Sequence, residues 1–232
     1  MVELKTPAEI ARMRAAGRVV AHILAAVQDA AAVGVRLADL DETARSVLDK
    51  FDATSPFLNY QPHFAPTPFP AVICASVNDV VVHAIPDGYR LEDGDLVSID
   101  CGALLQGWAA DAAVSFIVGT AQPADRTLVD TTRRALDAGI AAAQVGARLG
   151  DIAHAVGTIG RTAGYGIPAD FGGHGIGRRM HEDPAVPNDG RPGRGLRLRP
   201  GLVIAIEPMF MAGGRDAYRV DPDGWALRTI DG

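Results

Sequence analysis

Two cysteines in 232 residues, Cys74 and Cys101, are too few for a disulfide scaffold and form no CxxC pair, which points to a reducing compartment. Long apolar runs are missing too. No stretch of eighteen hydrophobic residues occurs, and the start MVELKTPAEIARMR lacks the continuous apolar segment of a secretory leader. No membrane association is expected, and the cytoplasm is the expected location. Positive charge is in deficit: 22 Lys and Arg face 28 Asp and Glu, a formal charge of -6. A negative field repels polyanions, so specific nucleic-acid binding is not expected either. Lysine is nearly absent, with Lys5 and Lys50 the only two among those 22 basic residues, a bias we assign to genome composition.

What is present suits one large domain, because 48% hydrophobic residues in a chain this long can bury a sizeable core. Thr6-Pro7-Ala8-Glu9 supplies an N-cap, a proline for the first helical position and a capping-box glutamate. Ile10, Met13, Ala16, Val20, Ile23, Leu24 and Val27 then recur at helical spacing, predicting a helix that runs until Gly34. A second amphipathic helix is predicted over Leu37 to Phe51. Apolar β-like runs follow at Ala71 to Ser76 and Leu96 to Cys101. The second half repeats this order, with helical patterns near Ala124 to Val145 and Leu149 to Ala163, a glycine-rich segment around His174, and the apolar run Leu202 to Ile206. Gly94 to Asp100 matches Gly201 to Glu207 in register, each a glycine turn, an apolar strand and a terminal acid. We therefore expect a single domain over 1–232, built of pseudo-halves of about 1–119 and 120–232, with the two acids near a shared axis.

The segment LVSIDCGALLQGWAADAAVSF reads as a hairpin. A tight turn at Leu104 to Gly107 would set Asp100 directly across from Asp111. Like charges facing each other across a ladder are destabilising, more so when half-buried beside Val97, Ile99 and Val114, and a divalent cation between them would relieve the repulsion. Glu207, at the end of LVIAI and before Pro208, is either an arginine partner or a ligand. His174, among Gly172, Gly173, Gly175 and Gly177, has little steric cover, so its ring can reach a metal or a substrate. Oxygen-rich ligation with one imidazole favours Mn(II), Fe(II) or Co(II) over thiolate-held zinc. Each acid alone also fits an ordinary turn or edge-strand role; the combination carries the metal reading.

With these residues in view, KTPAEIARMRAAGRV, SVNDVVVHAIPDG, LEDGDLVSIDCGALLQGWAADAAVSFIVG, GGHGIGRRMHEDPAVPN, LRPGLVIAIEPMF and DGWALRT resemble, in order, the motifs of the type I methionine aminopeptidases. The resemblance implies an α+β pita-bread fold of the creatinase/aminopeptidase kind, an antiparallel sheet covered by helices with an internal pseudo-two-fold. It implies Asp100, Asp111, His174 and Glu207 as ligands of two divalent ions, and His83 and His181 as substrate-binding catalytic histidines. Glu207 would shuttle protons. Phe57, Tyr60, Phe69, Cys74, Met180 and Trp225 would form the methionine pocket. The implied activity is removal of the initiator methionine from nascent proteins by a metal-activated hydroxide, by a monomer that works close to the ribosome.

Some residues depart from the family pattern. Val82 and Ala84 flank His83 where many relatives carry cysteine and glycine, and the stretch Gln61 to Pro68 is longer than usual. The family's last glutamate ligand lies on a strand beyond Trp225 that is missing before Gly232, so either the chain is trimmed or full dinuclear coordination is lost. Two rivals stand beside this reading. One is a catalytically impaired pita-bread module that binds peptides or protein partners. The other is an aminopeptidase P or prolidase-like enzyme, which would call for an additional N-terminal domain. The arginines of 191–199 face either a ribosome or, as a solvated loop, water.

Overall fold

The computed structural model describes residues 2–63 and 65–231; within the Gln61 to Pro68 stretch, Phe64 lies outside the described residues, as do Met1 and Gly232 at the ends of the expected domain. The first helix, α1 (Pro7–Ala30), begins as its sequence dictates. Thr6 is extended at φ -71° and ψ 161°, its hydroxyl accepts the Glu9 N–H, and the Glu9 carboxylate accepts the Thr6 N–H at 2.8 Å. Met13, Ala16, Val19, Val20, Ile23 and Val27 are buried on one face. The helix stops before Gly34 because Ala31 turns into extended backbone at φ -72° and ψ 112°. Helix α2 (Leu37–Lys50) follows and packs on α1. Its buried Asp41 accepts the Val72 and Ile73 N–H groups at 2.8 and 3.2 Å, pinning the start of strand β1 (Ile73–Val77) to the helix.

Three small antiparallel sheets make up the β structure of the described residues. In the first, β1 pairs with β3 (Leu96–Leu105), which pairs with β4 (Trp108–Ile117). In the second, β8 (Leu227–Thr229) lies between β2 (Val80–Val82) and β7 (Tyr218–Val220). The third pairs β5 (Gly172–Gly175) with β6 (Glu182–Pro187). Helices α3 (Pro123–Ala142) and α4 (Leu149–Thr162) pack on each other, and α4 covers β6.

The hairpin register differs from the expected one by two residues. Asp111 pairs with Gly102, and Asp100 with Ala113. The turn is Gln106-Gly107, at φ 51° and 77°, the pair of positive φ angles that a two-residue hairpin loop needs, and glycine takes its second position rather than its end. A slip of two preserves the face because side chains alternate with period two. Asp100 and Asp111 are thus diagonal neighbours on one face, while Val97, Ile99, Cys101 and Ala103 turn into the core formed with α1 and α2. Asp100 also sits mid-strand and not at a strand end.

The half-repeat is written in backbone hydrogen bonds. In the first half Gly34 N–H donates to Leu91 O at 2.7 Å, Leu37 N–H to Tyr89 O at 3.0 Å and Leu91 N–H to Val35 O at 2.9 Å. In the second, Gly146 N–H donates to Leu198 O at 3.0 Å, Leu149 N–H to Leu196 O at 3.0 Å and Leu198 N–H to Ala147 O at 2.8 Å. Asp39 and Asp151 each reach back to the N–H of the arginine preceding their helix. Arg90 donates to Gly34 O and Arg197 to Gly146 O, so one arginine of the 191–199 run is occupied in closing its own half.

The apolar run 202–206 forms no continuous strand. It is tied to β5 by an isolated bridge between Gly175 and Ile204 and by the Ala205 N–H to His174 O bond of 2.7 Å. Its side chains still alternate: Leu202, Ile204 and Ile206 pack on the core of α4 and β6, leaving Val203, Ala205 and Glu207 for the opposite face. Among the described residues no helix is long and apolar enough to cross a membrane.

Candidate metal centre and substrate pocket

Four expected ligands come from two halves. β3 and β4 present Asp100 and Asp111, β5 presents His174, and the segment beside β5 presents Glu207, whose own carbonyl accepts from Asn188 Nδ2 at 2.6 Å. The glycines around His174 serve a different purpose from the one expected. His174 lies in a strand, and its neighbours are small because other backbone comes very close: a Cβ on Gly173 would stand 2.1 Å from Ala205 O.

The ring orientation is decided by one bond. His174 Nδ1–H donates to Gly175 O at 2.9 Å, which leaves the Nε2 lone pair facing Glu207 Oε1 at 3.2 Å and Asp111 Oδ2 at 3.7 Å. In the neutral ring with this tautomer Nε2 has no hydrogen to give to Glu207 Oε1, its neighbour at 3.2 Å. A lone pair set against two carboxylates is repulsive unless a cation or a proton intervenes. Without a cation the proton does so: burial lowers the His174 pKa, but bonds to Asp111 and then Glu207, together with the Glu207 charge, push it up to about 10, so that Nε2–H faces the carboxylates.

The acids carry the matching stress. Burial first, then the charges of Asp111 and Glu207, hold the Asp100 carboxyl well above the usual aspartate range, and burial raises Glu207. Protein crowds all three acids on most sides. The side chain of Asp111 is 9% exposed and that of Glu207 31%. Three acids and one imidazole at this density suit a divalent cation in charge, in donor type and in the direction of the His174 lone pair. Among the described residues, no three of these donors stand around a common point at ligand distance; they contact one another instead.

His181 stacks edge-on against His174, with ring centroids 4.3 Å apart, and its Nδ1 shares a hydrogen bond with the Tyr60 hydroxyl at 3.1 Å. Burial, and then the His174 charge, lower the His181 pKa to about 4; burial and His181 do the same to His83. Both rings are neutral at physiological pH. His83 stands at φ 65°, a left-handed conformation unusual for a non-glycine residue, and its buried Nδ1 has no partner.

The six expected pocket residues lie together. Phe57, Phe69, Cys74, Met180 and Trp225 share one buried apolar cluster, with Tyr60 packed against it. Phe69 meets Trp225 edge-on at 5.0 Å, and the Trp225 indole N–H donates to Thr67 O at 3.2 Å, tying the Gln61 to Pro68 loop to the pocket wall. Ala65, Ala71 and Ile85 line the same cluster and gave no sequence signal, since small apolar residues have nothing to distinguish them. A recess of about 370 Å³ is lined in part by His174, Arg179, His181 and Glu182.

Comparison with known proteins shows the family and the fold. Residues 11–228 match the family described as metallopeptidase family M24. The chain is 49% identical over 239 residues to methionine aminopeptidase 1 of Mycobacterium tuberculosis, covering 100% of this chain and 87% of that protein. It is 41% identical to the methionine aminopeptidase of Clostridium acetobutylicum, over 100% and 90% of the two chains. Among solved structures, the methionine aminopeptidase of Thermotoga maritima superimposes with a TM-score of 0.94 at 37% identity, over 100% of this chain and 90% of that one. A prolidase of Pyrococcus horikoshii shares the fold alone, with a TM-score of 0.73 at 21% identity, and this chain covers 58% of it.

Proposed function

The chain belongs to metallopeptidase family M24, a family of metal-dependent hydrolases, and from that premise we propose that it is a methionyl aminopeptidase that removes the initiator methionine from new polypeptides. The observation that carries the reading is His174 Nε2 directed at Glu207 and Asp111, close in the chain to the apolar cluster of Phe57, Phe69, Cys74, Met180 and Trp225, since Met180 precedes His181, whose ring packs on His174. A methionine side chain is unbranched and apolar, and such a cluster accepts it without an unpaired polar group. Residues 1–232 act as one catalytic domain of two halves.

Asp100, Asp111, His174 and Glu207 would hold two divalent ions of the Mn, Fe or Co type. What bound ions supply is Lewis acidity, for the activation of water and for polarising the scissile carbonyl. The chain's own groups do the rest. His181, its Nδ1 occupied by the Tyr60 hydroxyl, presents Nε2–H to the substrate carbonyl, and neutral His83 holds the substrate from the other side. Glu207, whose carboxyl burial holds above its usual range, takes a proton from the attacking water and returns it to the leaving amine. Substrates of this kind emerge near the ribosome. Arg197 is engaged within its own half, which supports a solvated loop over a ribosome contact for 191–199.

The test is release of methionine from a Met-Ala-Ser peptide after chelation and re-addition of Mn(II) or Co(II), on this chain and on one carried past Gly232. Metal-dependent release supports the proposal. None from either chain overturns it in favour of a peptide-binding module.

A further inference from the structure

The segment that carries Met180 and His181 is held from beneath by an ion pair that the reaction does not use. Lys5 Nζ donates to Glu182 Oε2 at 2.6 Å, with the lysine side chain 2% exposed and the glutamate 9%. The other carboxylate oxygen, Oε1, accepts the backbone N–H groups of Arg178 and Arg179 at 2.9 and 3.1 Å, closing the turn that ends in Met180 and His181. Lys5 is itself fixed, because its backbone N–H donates to Gly201 O at 2.6 Å and Thr6 beside it caps α1. Gly177 admits the pair: a Cβ there would stand 2.4 Å from Lys5 Cε and 2.9 Å from Glu182 Oε1. On the upper side Ala109 N–H donates to Gly177 O at 2.7 Å, and the Arg178 guanidinium lies 4.3 Å over the Trp108 ring at the start of β4.

We infer that Lys5 and Glu182 are positioning residues that fix the 177–182 turn so that His181 reaches the substrate and Met180 closes the methionine pocket; this rests on the aminopeptidase reading. The physical reason lies in the turn's own hydrogen bonds. Both N–H groups that define it end on a single carboxylate oxygen, and that buried carboxylate is tolerated only because an ammonium group neutralises it. The N-terminal arm thereby sets the position of a histidine about 175 residues further on, as Lys5 and Glu182 are 177 apart in sequence. Neither residue touches substrate. Their effect passes through the backbone of Arg178 and Arg179.

The experiment uses the full chain with three variants. Lys5→Arg keeps the charge, Lys5→Met removes it, and Lys5→Met with Glu182→Met replaces the pair by apolar side chains, a change that buried pairs often tolerate without loss of stability. Activity is normalised to the folded fraction. Lys5→Arg should stay within about threefold of the parent, while the double variant should lose roughly 10- to 100-fold in kcat with a smaller change in KM, the size expected for a misplacement near 1 Å. Hydrogen exchange of the 177–183 segment should speed up in the double variant while β3 and β4 stay protected. A double variant with parental kcat, or with unchanged exchange in 177–183, overturns the inference. The exchange result holds even for a parent that releases no methionine, so failure of the activity reading and failure of this inference remain distinct.

Discussion

Replacing Gly173 by alanine tests the proposed metal centre without touching any of its four proposed ligands. The added Cβ would lie 2.1 Å from Ala205 O and 2.8 Å from its carbonyl carbon, and both are backbone atoms with no side-chain freedom to yield. Restoring ordinary contact requires that β5 and the 202–207 segment separate by about 1 Å, which stretches the 2.7 Å bond from Ala205 N–H to His174 O and draws His174 away from Glu207. Overpacking of this kind costs about 1–3 kcal/mol and a weakened buried hydrogen bond about 1 kcal/mol more. For a chain of this size that lowers the melting midpoint by about 5–15 °C. The effect on catalysis should be larger, because His174 and Glu207 are no longer in register: about 100-fold in kcat/KM. The assay combines thermal melting with methionine release across a Mn(II) titration. If Gly173→Ala melts and titrates like the parent and keeps its kcat/KM within twofold, the close approach is not what holds the two ligands together, and the reasoning fails.

Asp111→Asn should act with opposite signs in the presence and absence of metal. In chelated protein it relieves repulsion with Asp100 and Glu207 and should raise the melting midpoint, whereas saturating Mn(II) at about 100 Kd should add about 2.7 kcal/mol to the parent and much less to the variant; a variant stabilised by metal as fully as the parent would refute this. The bond from Arg161 holds the Asp216 carboxyl below its usual value of 3.8, aided by the Ile167 N–H. Because the folded value is the lower one, this stability is present above pH 3.8 and is lost as pH falls through the folded value. The pair is 49% exposed on the acid side, so screening limits the effect to about 1 kcal/mol or less. Melting curves below pH 3.8 should therefore be shallower in pH for Asp216→Asn than for the parent; equal slopes would remove Asp216 from the acid limb.

The helices were legible because their signals are local. The Thr6 to Glu9 capping box and the Met13 to Val27 stripe need no knowledge of the rest of the chain, and both appear as read. The hairpin was legible in face but not in register, because period-two patterning is blind to a shift of two and only the φ demands of Gln106-Gly107 settle it. The run 202–206 misled because five apolar residues look alike as a strand or as a segment held by a single bridge; what decides is the neighbouring backbone at Gly175, far off in sequence. Strands β2, β7 and β8, three residues each, are too short to show a period. Of the site, the residue types carried the reading, while the Tyr60 to His181 bond and the Lys5 to Glu182 pair, being long-range contacts, left no mark in any window of sequence.

The proposed site draws Asp100 and Asp111 from the first half and His174 and Glu207 from the second. During synthesis Asp100 and Asp111 emerge long before Glu207, so the growing polypeptide holds a half-built ion site and no catalytic one. The proposed site is complete only once the later segment has docked on the earlier hairpin. Metal bound by that set would act as a clasp: whatever free energy it releases on binding would oppose separation of the halves, and stripping it would loosen the seam between them.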